Sequence, residues 1–225
     1  MQLANLLRET LDAHEQDVWE NERTPTPVRR FGVRLHSMGL SVRETQAVLD
    51  WLGVDRSHGA VWQWTHRLAD SGSDPQTAEP SRVAVDETAV QIGQEWRWLY
   101  AAIDLETMLL LDVEVFSRRG TDPAAAFIHR LTEKHDVSET TFLVDGFGYT
   151  TALSRLGLSG HLDYADQNHI EKWFQTFKQR TDRFYTSWTG SRRAVREWCQ
   201  QFRRYYNQHR PHQALDNQTP IEVLN

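Results

Sequence analysis

From Arg82 onward the apolar residues stop recurring at helical intervals and begin to alternate, and this change of period limits the fold more than any other feature of the chain. Val83–Ile92 reads as a strand, Gly93-Gln94 suits a tight hairpin turn, and Trp96–Asp104 and Met108–Phe116 are two further strands. Asp122-Pro123 opens a helix to about His135, with proline at its first position. Thr141–Asp145 is a fourth strand. Tyr149–Leu156 is a short helix ended by Gly157, and His161–Tyr164 a short fifth strand. Asp166 to about Phe184 and Arg192–His209 read as long helices. This order predicts an α/β (α+β) domain over residues 81–225, with a mixed five-stranded sheet and flanking helices.

The preceding residues are helical. Leu3, Leu6, Leu7, Leu11 and Val18 follow a helical period, so 1–27 reads as an arm that packs on its own domain or on a second copy. Thr24-Pro25-Thr26-Pro27 ends it. Residues 28–69 predict a small all-α domain of three helices. The first runs from Val28 to about Met38 and stops at Gly39. Ser41-Val42-Arg43-Glu44 is a capping box for the second. Its apolar positions are Val42, Ala47, Val48, Trp51 and Leu52. Ser57 caps the third, which turns Val61, Trp64 and Leu68 inward. The short connection Gly53-Val54-Asp55-Arg56 makes a helix-turn-helix pattern, with Ser57, His58, Gln63, His66 and Arg67 facing outward as DNA-contacting candidates. A small helical domain with no DNA role fits the same pattern. Residues 70–80, polar and rich in Pro, Gly and Ser, form the linker.

Composition removes several classes. No apolar run is long enough to span a membrane, and no signal peptide is visible. Cys199 is the lone cysteine of 225 residues, so neither an internal disulfide nor a zinc ribbon is available, and a reduced cytoplasm fits. The net charge of −6 counts against a nucleic-acid protein. However, Lys134, Lys172 and Lys178 are the only lysines, and acidic residues outnumber basic ones 31 to 25. An acidic, lysine-poor surface suits a salt-rich cytoplasm, which makes a halophilic source the expectation.

Asp86 and Asp145 each close a hydrophobic strand, and Glu171 lies on the helix that follows them. Singly, each has a plain alternative: a turn residue before Gly146, a solvated strand end, a surface glutamate. Together they suggest a metal site. Carboxylates at strand ends are expensive to bury unless they hold something cationic. Hard oxygens suit Mg²⁺ or Mn²⁺, and a pair of such ions is the apparatus of phosphodiester chemistry. On the helix, Ile170, Trp173, Phe174 and Phe177 form the buried stripe. Asn168, Glu171, Gln175 and Lys178 form a second stripe about 130° away, placing Glu171 and Lys178 on one accessible edge. Other acids fit less well: Asp104 begins a turn, Asp166 caps the long helix, and Asp112 alternates with Glu114 on a strand face expected to meet solvent. No metal-binding histidine spacing is present. Trp96, Trp98 and Tyr100 read as a packed sheet face, while Arg118-Arg119 after the third strand suits either a phosphate grip or a solvated turn.

These residues resemble the DDE transposases and retroviral-type integrases, whose core is ribonuclease-H-like. The chain looks most like the IS-six insertion-sequence transposases in their haloarchaeal form. The shared motifs are Val85-Asp86-Glu87-Thr88, Trp98 to Asp104, Ser117-Arg118-Arg119, Val144-Asp145-Gly146, Asn168-His169-Ile170-Glu171 and Tyr206-Asn207-Gln208-His209-Arg210-Pro211. The resemblance implies a metal-ligating catalytic triad of Asp86, Asp145 and Glu171, assisted by Lys178, with two Mg²⁺ (or Mn²⁺) ions. It implies double-stranded DNA as partner, both as element ends and as target, and at least a homodimer. The setting implied is the nucleoid of a prokaryotic cytoplasm. The expected reaction is cleavage at the terminal inverted repeats followed by strand transfer. A nuclease without strand transfer and a non-enzymatic DNA-binding regulator are the alternatives. One departure is that only 25 residues separate Asp145 from Glu171, fewer than in many such proteins.

Overall fold

The computed structural model describes residues 23–70, 76–162, 168–181 and 192–225. Most of the expected arm, part of the linker and the Asp166 cap lie outside them. The chain divides into two compact units, Met1–Gly72 and Ser73–Asn225.

The first unit contains α1 (Thr26–Ser37), α2 (Val42–Trp51) and α3 (His58–Asp70). Val33, Leu49, Val61, Trp64 and Leu68 form its core. The α1 backbone comes close to the Trp64 ring because Gly32 has no side chain, and a Cβ there would lie 3.4 Å from it. The capping box at Ser41 is complete: Glu44 N–H donates to Ser41 Oγ and Ser41 N–H to the Glu44 carboxylate. Gly53, at φ +78°, ends α2 in the left-handed conformation that glycine adopts without strain. The buried face of α2 differs from the expected one. Thr45 and Leu49 point inward, whereas Trp51 is 85% exposed and Leu52 39%. The apolar residues at the end of α2 are therefore not core residues.

The second unit holds β1 (Arg82–Ile92), β2 (Glu95–Asp104), β3 (Leu110–Phe116), α4 (Thr121–Lys134), β4 (Thr141–Val144), α5 (Phe147–Arg155), β5 (Ser159–Leu162), α6 (Asn168–Thr181), α7 (Arg192–Gln208) and α8 (Pro220–Leu224). The sheet order is β3-β2-β1-β4-β5. β1, β2 and β3 are antiparallel, while β4 runs parallel to β1 and β5 parallel to β4. The mixed five-stranded sheet is thus present, including the short fifth strand. α4 opens on Thr121 after Gly120, so Pro123 sits within the first turn and not at its first position.

Helices cover both faces. One core combines Ala84, Leu99, Ala101 and Val113 of the sheet with Ile170, Trp173, Phe177, Trp198 and Phe202 of α6 and α7. The other combines Val83, Val85, Tyr100 and Phe142 with Phe127, Leu131, Tyr149 and Leu153 of α4 and α5. The edge strand β3 is also covered, because side chains of α7 bond its backbone. Asn207 accepts from Leu110 N–H and donates to Leu110 C=O, at 2.9 and 3.0 Å. Arg203 donates to Leu111 C=O and Arg192 to Val115 C=O. Edge groups left open in this way are templates for unwanted strand pairing.

Asp112 and Glu114 do not face solvent, contrary to the expectation from alternation. They are 0% and 3% exposed. Their shared face is roofed by α4, whose Arg130 and Lys134 reach Asp112 Oδ2 at 3.1 and 3.0 Å. Arg130 also pairs with Glu114 at 2.6 Å, as Arg196 does at 2.7 Å. Alternation located the face correctly, but it carries no information about which helix will cover that face.

Candidate metal centre

The β1–β4 ladder ends just short of the two aspartates. Its last pair is Ala84 with Leu143. Continued by two residues, the parallel register brings Asp86 level with Asp145 on the same sheet face, because side chains repeat with period two. That face carries α6. Ile170, Trp173, Phe174 and Phe177 are all buried against it, as the helical stripe requires, and Glu171 and Lys178 are exposed.

One oxygen each of Asp86, Glu87 and Asp145 lies within 4.8 Å of the others. The Glu171 carboxylate is not in that group, although its charge is close enough to disfavour ionisation of Asp86. Burial, opposed by a hydrogen bond from Glu87 N–H and reinforced by Asp145, Glu87 and Glu171, pushes the Asp86 carboxyl up to about 7. Burial likewise raises Glu87, against a hydrogen bond from the Tyr149 hydroxyl. Tyr149 itself is raised well above the ordinary tyrosine value by burial and by Glu87. Among the described residues neither aspartate has an ion-pair partner. Arg119 partly offsets the charge of Glu87, but the crowded carboxylates remain a hard-oxygen donor set suited to a divalent cation such as Mg²⁺.

In the sequence Glu87 stood only within the Val85-Asp86-Glu87-Thr88 motif and was given no role. Its adjacency to Asp86 was the only signal. Tyr149, four residues after Asp145, carried none.

Of the remaining expected residues, Arg119 reaches the cluster, its charge acting on Glu87. Arg118 is exposed and pairs with Asp122 at 3.2 Å. Arg119 lies over the Trp98 ring at 4.6 Å. Asn168 opens α6. In the first unit Ser57 Oγ accepts from Ala60 N–H, capping α3, and His58 N–H donates to Gln46. Gln63 and Arg67 are exposed, and the His66 ring meets Trp62 edge-on at 3.8 Å. Trp96 is 62% exposed, so the expected packed face does not extend to it.

Residues 80–186 match the family described as "DDE domain", and residues 163–220 the one described as "Integrase core domain". The chain is 26% identical over 197 residues to an uncharacterised protein of Methanocaldococcus jannaschii, covering 86% of this chain and 91% of that one. It is 30% identical over 99 residues to the transposase for insertion sequence element IS257 in transposon Tn4003 of Staphylococcus aureus, covering 42% of this chain and 44% of that one. The chain thus spans less than half the length of that transposase. The solved catalytic core domain of BIV integrase aligns at TM-score 0.49 and 14% identity, over 64% of this chain and 93% of that one. The HTLV-2 integrase catalytic core domain in complex with magnesium (dimeric form) aligns at TM-score 0.49 and 9% identity, over 65% and 98%. The second unit is thus similar to DDE and integrase core domains, and the staphylococcal relative is a transposase.

Proposed function

We propose that this chain is an insertion-sequence transposase, akin to the IS-six group, that cleaves DNA at element ends and joins the freed 3′ ends to target DNA. The observation that carries the reading is that Asp86 and Asp145 oxygens lie within 4.8 Å of one another, just past the β1–β4 ladder, in a stretch that matches the DDE family. Asp86, Asp145 and Glu171 are the residues that would hold Mg²⁺ or Mn²⁺, in a two-ion arrangement. Ions bound there would activate a water or 3′-hydroxyl and neutralise the leaving oxygen.

The protein's own part is positioning. Asp86 lies within β1, and Asp145 directly follows β4. Glu171 is exposed and near Asp86; its like charge opposes approach until a cation offsets the repulsion. Lys178 lies two turns further along the accessible side of α6 and is placed to meet a backbone phosphate. In the first unit, α2 and α3 serve as the helix-turn-helix. Ser57, His58, Gln63, His66 and Arg67 face the terminal inverted repeats, while Arg118, Arg119 and Asn168 contact DNA near the cleaved bond. A homodimer or larger assembly pairs the two ends in the prokaryotic nucleoid. The acidic, lysine-poor composition fits a halophilic host, and loss of folding above molar KCl would refute that assignment.

The test uses labelled duplexes carrying the DNA sequences that flank the gene. The full chain with Mn²⁺ or Mg²⁺ should nick the element end and form strand-transfer products, and Asp145→Asn should abolish both. Cleavage by Asp145→Asn at the wild-type rate would sink the reading. Cleavage without joined products would replace it with a hydrolytic nuclease.

A further inference from the structure

Nothing in the backbone ladder fixes the spacing of the two aspartates. β1 and β4 last pair at Ala84 and Leu143, so Asp86 and Asp145 both lie past the final rung, where their like charges push them apart. α5, which begins two residues after Asp145, has no side-chain hydrogen bond at its Gly146 cap. One interaction does bridge these segments. The Tyr149 hydroxyl donates to Glu87 Oε2, joining the residue after Asp86 to a residue one turn beyond Asp145.

We propose that Tyr149 and Glu87 form a positioning tie that holds Asp86 and Asp145 at metal-binding separation, with Glu87 acting through Tyr149 and not as a ligand. Three observations support this. Alternation along β1 turns Glu87 toward the α4–α5 face, and although one of its oxygens lies within 4.8 Å of the aspartates' oxygens, its Oε2 is taken by Tyr149. Tyr149 is 5% exposed, and a buried hydroxyl requires a partner, which commits the Glu87 oxygen to it. The tyrosine is also backed from behind. Its ring centroid lies 6.1 Å from that of Tyr100, whose own hydroxyl accepts from Gly120 N–H at 3.2 Å. The tie is therefore anchored to β2 and to the start of α4, and it braces the aspartates without occupying their oxygens. Outer-shell contacts of this kind orient ligands, and their loss typically weakens metal binding about 10–100-fold.

The inference rests on the metal-site reading above, and one experiment separates the two. Mn²⁺ affinity of the full chain is measured by titration calorimetry, alongside thermal unfolding in EDTA. Tyr149→Phe should bind Mn²⁺ about tenfold more weakly. Glu87→Gln, which loses the charge but still accepts the tyrosine proton, should lose less. Glu87→Ala, which removes the acceptor without altering α5, should match Tyr149→Phe and serves if that variant fails to fold. Wild-type affinity in Tyr149→Phe, or equal losses in Glu87→Gln and Glu87→Ala, would overturn the tie and make Glu87 either a bystander or a ligand. Wild-type affinity in Asp145→Asn would instead remove the metal site itself.

Discussion

Asp112→Asn should destabilise the second unit although it changes almost no volume. The Asp112 carboxylate is fully buried and is met by Arg130, Lys134 and Arg203 at 3.1, 3.0 and 3.4 Å. An asparagine there keeps the shape but leaves three cations facing an amide. Removing one partner of a buried pair typically costs about 3–5 kcal/mol. Arg130 and Lys134 are 34% and 18% exposed along their side chains and can turn partly to water, which favours the lower end, about 3 kcal/mol. For a chain of this size that lowers the melting temperature by about 6–12 °C. Burial pushes the Asp112 carboxyl up, but Lys134, Arg130 and Arg203 together outweigh it and the net shift is downward. The stabilisation is therefore present above the ordinary value of 3.8 and is lost as pH falls through the lower folded value. Urea titrations of both proteins at pH 7 and under acid conditions measure this. A difference below about 1 kcal/mol at neutral pH, or one that persists unchanged in acid, would refute the argument.

Without metal, the folded chain retains a proton on Asp86 between pH 3.8 and about 7 that the unfolded chain has released. Its stability in EDTA should therefore decline as pH rises across that window, and Asp86→Asn should abolish the decline in thermal scans. Gly160→Ala places a Cβ 2.3 Å from Cδ1 of the buried Leu153 and should cost about 1–3 kcal/mol in urea unfolding. An unchanged midpoint would show that Leu153 has room to move. Cys199 is 1% exposed and burial pushes its thiol well up, so Ellman's reagent should label it only as fast as the chain unfolds. Rapid labelling under native conditions would contradict the packing around α7.

The sheet was legible because its strands carry period-two patterning and its turns carry glycine. Gly93, at φ +62°, closes the β1–β2 hairpin where the sequence placed it. The capping box at Ser41 was equally direct, because both of its hydrogen bonds are local. The closeness of Asp86 and Asp145 was expected from the ribonuclease-H-like strand order. What escaped depended on contacts between distant segments. Whether Asp112 meets water or arginine is decided by residues 18, 22 and 91 positions away. Tyr149 reaches Glu87 across 62 positions. Trp51 appeared apolar and therefore buried, but α2 turns Thr45 and Leu49 inward instead.

The side chains that close the β3 edge have a consequence for biosynthesis. Leu110 finds its partner Asn207 across 97 positions, so the edge stays open until α7 has left the ribosome. At ordinary elongation rates that exposure lasts on the order of 5–20 s. During that interval a nascent chain presents an unpaired strand to its neighbours on the same polysome. A message truncated before Arg192 would leave the strand uncovered permanently, and its product should form insoluble aggregates where the full-length chain does not.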